Sequence, residues 1–167
     1  MTPAQLLIDA FGRIEQTGRA AVEDLDDDQL AHRATADANP IAWLVWHLAR
    51  VQDDHVADVA GLEQVWTAQG YADRFGLPFE DSATGYGQTS EEVGQVRASA
   101  DLLADYLSAV TAQTVSYLQT VADGDLDRVV DERWDPPVTL AVRLVSVVSD
   151  DLQHAGQAAY GRGLLGA

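Results

Sequence analysis

Apolar residues recur along this chain at the three-to-four-residue spacing of helices that bury one face. Leu6, Leu7, Ala10, Phe11 and Ile14 form the first such stripe. Thr2 is placed to cap it and Pro3 to open it, and the pattern fades near Thr17-Gly18. In the acidic stretch that follows, Leu25 and Leu30 mark a short turn packed on the core. Asn39-Pro40 reads as a second start, an N-cap followed by proline, for a helix from about Pro40 to about Ala60 that ends near Gly61. Thr89-Ser90-Glu91-Glu92 fits a capping box with Thr89 at N-cap and Glu92 at N3. It predicts a long third helix through Val96, Leu103, Leu107, Val110, Thr114 and Leu118 to about Asp123-Gly124. Asp135-Pro136-Pro137 interrupts the chain before a last helix from roughly Thr139 to Tyr160. Val129-Val130 and the Trp134 region allow a short extended piece, but no strand ladder is visible. The expectation is one all-α domain over residues 1–167, an antiparallel four-helix bundle with a long loop between its second and third helices.

That loop, Trp66 to Gln88, mixes Gly70, Gly76, Pro78, Gly85 and Gly87 with Tyr71, Phe75, Phe79 and Tyr86. Loops of this length in compact domains are usually functional or disordered. The rings argue against disorder, because they need something to pack against, so the segment is expected to be a lid or pocket wall.

Composition narrows the function classes. The net charge is −17, and all 10 basic residues are arginine. Such a surface repels phosphate backbones and anionic lipids, which disfavours nucleic-acid and membrane partners. No apolar run approaches the roughly 20 residues of a bilayer span, and no basic-then-apolar leader opens the chain. A soluble, cytoplasmic protein is expected. Cysteine is absent, which excludes disulfides and thiolate zinc fingers.

Two histidines then stand out, each in a distinctive frame. His47 lies in Asn39-Pro40-Ile41-Ala42-Trp43-Leu44-Val45-Trp46-His47-Leu48, and His154 in Asp150-Asp151-Leu152-Gln153-His154-Ala155-Gly156-Gln157. On the second helix His47 shares a face with Trp43, Val51 and Asp54; on the last, Asp150, His154 and Gln157 continue the line of Leu144 and Val147. Burying an aspartate beside two imidazoles costs several kcal/mol unless a cation neutralises it. A divalent metal with three protein ligands and one open position is the economical arrangement. Asp151, three residues before His154, competes with Asp150 for the ligand role. His55 lies roughly 80° round the helix from His47 and is the weaker candidate. His32 reads as a surface residue. Satisfied core histidines are the bland alternative, and spacing alone leaves the two readings nearly balanced.

The two histidine frames, with Arg74-Phe75-Gly76-Leu77-Pro78-Phe79 and Gly85-Tyr86-Gly87 between them, resemble the DinB superfamily, and within it the actinobacterial branch of mycothiol-dependent transferases and maleylpyruvate-isomerase-like proteins. The resemblance runs over nearly the whole chain. It implies a four-helix bundle around a divalent metal, zinc or nickel, with ligands matching His47, Asp150 and His154. Many members carry histidine or glutamate at the position of Asp150.

The resemblance further implies a metal-dependent transferase or isomerase, in which a low-molecular-weight thiol, mycothiol, attacks an electrophilic small molecule. The missing cysteine agrees with a borrowed thiol. Mycothiol is nearly uncharged, so an acidic protein does not repel it as it would an anionic thiol. Asp54, Gln157 or His55 would orient the ligands from behind. Two other readings use the same residues: a hydrolase with a metal-activated water, and a non-catalytic metal-binding stress protein. A homodimer is compatible with each.

Overall fold

A computed structural model describes residues 1–166. Helix α1 (Pro3–Val22) begins where expected, with a full capping box between Thr2 and Gln5. It runs past Gly18 because that residue lies against Leu107, where a side chain would collide. The glycine is a close-packing position rather than a stop. The acidic stretch contains one turn, α2 (Asp27–Leu30), with Leu25 and Leu30 both buried.

Helix α3 (Ile41–Ala60) ends at Gly61 in the left-handed conformation. Its cap position is Pro40 and no side chain caps it, so Asn39 does not play the predicted role. The helix is buried along most of its length from Ile41 to Arg50, as a central bundle element must be. The loop after it holds two short helices, α4 (Val65–Ala68) and α5 (Tyr71–Phe75). Trp66, Tyr71 and Phe75 are buried there, but Tyr86 is 94% exposed, against the expectation that every ring would find a surface.

The capping box at Thr89 is present, yet it launches only α6 (Ser90–Gln95). The backbone becomes extended at Val96, and Ser99 caps a separate helix α7 (Ala100–Leu118). The single long third helix is therefore two, and it stops short of Asp123, where a 3-10 turn (Asp123–Asp127) follows. A small ladder is also present: β1 (Val129–Asp131) pairs antiparallel with β2 (Val138–Thr139). Thr139 then caps the longest helix, α8 (Leu140–Leu165).

The four long helices α1, α3, α7 and α8 pack as a bundle in which α3 and α1 each touch both α7 and α8. Phe11, Ile14, Leu48, Leu103, Leu107 and Leu144 fill the centre. Among the described residues, no helix is long and apolar enough to cross a membrane. The contact between α3 and α8 is the one that brings the two histidine frames together.

Candidate metal centre

His47 is buried on α3, and Asp150 and His154 lie half-buried on α8. Their ligating atoms lie within 4.8 Å of one another. Asp150 Oδ2 is 3.9 Å from His47 Nε2 and 3.2 Å from His154 Nδ1. The imidazoles meet edge to face with centroids 4.6 Å apart.

Each ring has its proton placed by a carbonyl. His47 Nδ1 is 2.5 Å from the Thr84 carbonyl, and His154 Nδ1 is 2.8 Å from the carbonyl of Asp150, one turn earlier. A carbonyl can only accept, so both rings carry a proton on Nδ1, and Nε2 is the nitrogen left to meet a metal. Metal-binding histidines recurrently donate their other N–H in this way. Trp43 holds the His47 ring from the side, stacked at 4.4 Å with an interplanar angle of 15°, and donates its own N–H to Gln88.

The electrostatics match this arrangement. Burial lowers the His47 pKa and outweighs the Thr84 carbonyl, so the ring is held neutral. For Asp150, burial works toward protonation, but His154 and His47 outweigh it and keep the carboxylate ionised. Burial also works against a charged His154, yet Asp150 outweighs it and raises the ring's pKa. Meanwhile Asp150 Oδ2 is buried without a hydrogen-bond partner. An unpaired carboxylate oxygen 3.9 Å from His47 Nε2, with the His154 ring on its other side, is a donor set that fits a divalent cation.

Asp151 is separate from this group. Its side chain is fully buried, neither oxygen has a partner, and burial raises its pKa well above the usual range, with Asp150 adding to the effect. It belongs to the core stripe Leu144-Val147-Asp151-Ala155-Ala158, and Asp150 is the aspartate that faces the histidines.

A cavity of about 550 Å³ opens over His47 and Asp150. Val51, Val138, Val142 and Val147 give it apolar walls, and the exposed rings of Tyr86 and Trp134 stand at its side. Farther along α3, His55 lines the same cavity with Asp54. Arg143 donates to His55 Nδ1 at 2.8 Å and is itself held by Asp131. Burial and this guanidinium lower the His55 pKa, so that ring too is neutral, with its proton on Nε2. Asp54 accepts from Gln64. A neighbouring cavity of about 780 Å³ shares Asp54, His55 and Arg143. Gln157 is exposed and lines neither cavity.

The model of the family described as mycothiol-S-transferase matches residues 6–167. The chain belongs to that family. Its DinB-type fold agrees with the membership. A solved structure, the crystal structure of a conserved protein from Enterococcus faecalis, is similar at 32% identity, with a TM-score of 0.92 over 100% of this chain and 99% of that one. No curated protein matches the chain. The family is one of transferases, and the helical fold is shared with the enterococcal protein.

Several residues of the site carry no obvious sequence signal. Thr84 acts through its backbone, and Arg143 is one arginine among ten. Trp134, beside the break at Asp135-Pro136-Pro137, reads in sequence as part of a short extended piece and not as a pocket residue. Gly85 was detectable, because glycine between Thr84 and Tyr86 marks a backbone with special freedom, and its φ is +95°.

Proposed function

We propose that this protein is a divalent-metal-dependent thiol S-transferase. In this reading His47 and His154 through Nε2, and Asp150 through its carboxylate, hold the metal, with zinc the leading choice and nickel second. The co-substrate is mycothiol or a close analogue, and the second substrate is an electrophilic small molecule. The observation that carries the reading is the convergence of two carbonyl-fixed imidazoles on an unpaired carboxylate oxygen, with His47 and Asp150 lining a substrate-sized cavity.

His47, Asp150 and His154 would hold a divalent cation whose Lewis acidity would favour the deprotonated thiol near neutral pH. The protein's own groups do the rest. Val51, Val138, Val142 and Val147 offer the electrophile an apolar wall that excludes water. Trp134 and Tyr86 give flat surfaces beside it. The thiol's proton is released to solvent, the sulfur–carbon bond forms as the electrophile's carbon–leaving-group bond breaks, and the leaving group departs with the electron pair. Asp54 is placed to orient polar groups at the far end of the cavity. Gln157 keeps no part in this scheme, since it is exposed and away from the cavity. The family membership and the absence of any cysteine in the chain both favour a thiol brought from outside.

The test is consumption of mycothiol with a bromobimane-type electrophile by protein loaded with zinc. The expected result is turnover by the native chain and only background by His47→Ala. Equal rates in the two proteins, or no turnover across a broad electrophile panel, would contradict it.

A further inference from the structure

One turn beyond His47 on α3, Arg50 is fully buried. Its guanidinium donates to the carbonyls of Ala83 (3.0 Å) and Asp81 (3.2 Å), to Gln64 Oε1 (2.8 Å) and to the Tyr106 hydroxyl (3.3 Å). It also lies over the Trp66 ring at 4.9 Å. Asp53 faces it at 3.7 Å and accepts from the Val65 and Trp66 amides and from Tyr106. Two of these contacts grip the backbone immediately before Thr84, whose carbonyl sets the proton on His47. The next residue, Gly85, lies directly on the ring: a Cβ there would fall 2.7 Å from His47 Nδ1 and 3.1 Å from both Trp43 and Trp46.

We propose that Arg50 and Gly85 are positioning residues for His47, acting through the segment from Asp81 to Gly85. Arg50 clamps that segment from below, and Gly85 lets it approach the imidazole closely enough for Thr84 to accept the Nδ1 proton. The pair thereby fixes His47 as the Nδ1–H tautomer, with Nε2 directed to the candidate metal position. A lysine cannot reproduce this grip, because one ammonium lacks the planar fork that spans two carbonyls, an amide oxygen and a hydroxyl. The inference rests on reading His47 as a ligand, but the tautomer itself can be observed without any metal.

The experiment is long-range proton–nitrogen NMR of the metal-free protein, alongside cobalt titration. The chain has only four histidines, so His47→Gln assigns the ring. The native protein is expected to show His47 as a single Nδ1–H tautomer. Arg50→Lys, with unchanged helical circular dichroism, is expected to show mixed tautomers and a cobalt dissociation constant raised roughly 10–100-fold. Gly85→Ala acts on the segment without touching the buried network, and should give the same signature if Arg50→Lys does not fold. A native-like His47 spectrum and cobalt affinity in folded Gly85→Ala or folded Arg50→Lys would overturn the proposal. If the native chain binds no cobalt, the tautomer spectra still decide this inference, and only the metal reading falls.

Discussion

Helix α3 carries two polar clusters one turn apart, and they are built on opposite terms. Around Arg50 and Asp53 nearly every donor and acceptor is matched: four acceptors surround the guanidinium, and three donors reach the carboxylate. Around His47, Asp150 and His154 the outward-facing atoms are matched by carbonyls, while Asp150 Oδ2 is left unpaired. A buried polar network that is complete holds structure, whereas one that is incomplete at a single convergent point is waiting for something. The first cluster holds the fold and the segment beside His47, and the second is the candidate binding point.

The comparison breaks most severely if variants in the two clusters have the same consequence. Asp150→Ala is expected to reduce bound metal, measured by elemental analysis after purification without chelator, to background while urea unfolding of the metal-free protein changes little. Asp53→Ala should instead fall mainly on folding. It strands a buried Arg50 and is expected to cost about 3–5 kcal/mol in urea denaturation. Similar losses of stability from both substitutions would dissolve the distinction.

Asp151 sharpens it further, because this aspartate adjoins a candidate ligand yet has the character of neither cluster. Its folded pKa is raised well above the ordinary 3.8 by burial and by Asp150. The folded chain therefore keeps a proton that the unfolded chain releases. Stability from this group is fully present below the unfolded value and is lost as pH rises toward the folded one. Asp151→Asn removes that dependence, and should stabilise the protein by roughly 1–3 kcal/mol at pH 8, with a smaller gain at pH 4.5. Denaturation at the two pH values checks it; a gain independent of pH would show that the carboxyl is not the source. The smallest effect is expected at the cavity's aromatic rim. Trp134→Ala should change stability by no more than about 0.5 kcal/mol while raising KM for the electrophile, and an unchanged KM would remove the ring from the site.

Much of this was legible from the chain because helices that bury one face must repeat their apolar residues. All four long helices follow from that pattern. The break between α6 and α7 was not legible, since Val96 continues the apolar spacing through residues whose backbone is extended. Gly18 misled for a related reason: in sequence a helix stop and a close-packing glycine look alike. In the site, spacing placed His47, Asp150 and His154 on faces that the fold brings together, but could not separate Asp150 from Asp151. That needed the helix rotation, which buries one and turns the other to the histidines. Arg50 was invisible as well, because an arginine within an apolar run reads as a surface position until its partners from a distant loop are known. Gln157, three residues past His154, is turned to solvent, which spacing alone did not reveal.

The central claim is that His47, Asp150 and His154 hold one divalent ion. Calorimetric titration of zinc into the chelator-treated native chain, repeated with His154→Ala, tests it most directly. The account predicts one ion per chain with the native protein, weakening on acidification as His154 takes up a proton, and no comparable site in the variant. Zinc bound with the same stoichiometry and affinity by both proteins, or by neither, would contradict it.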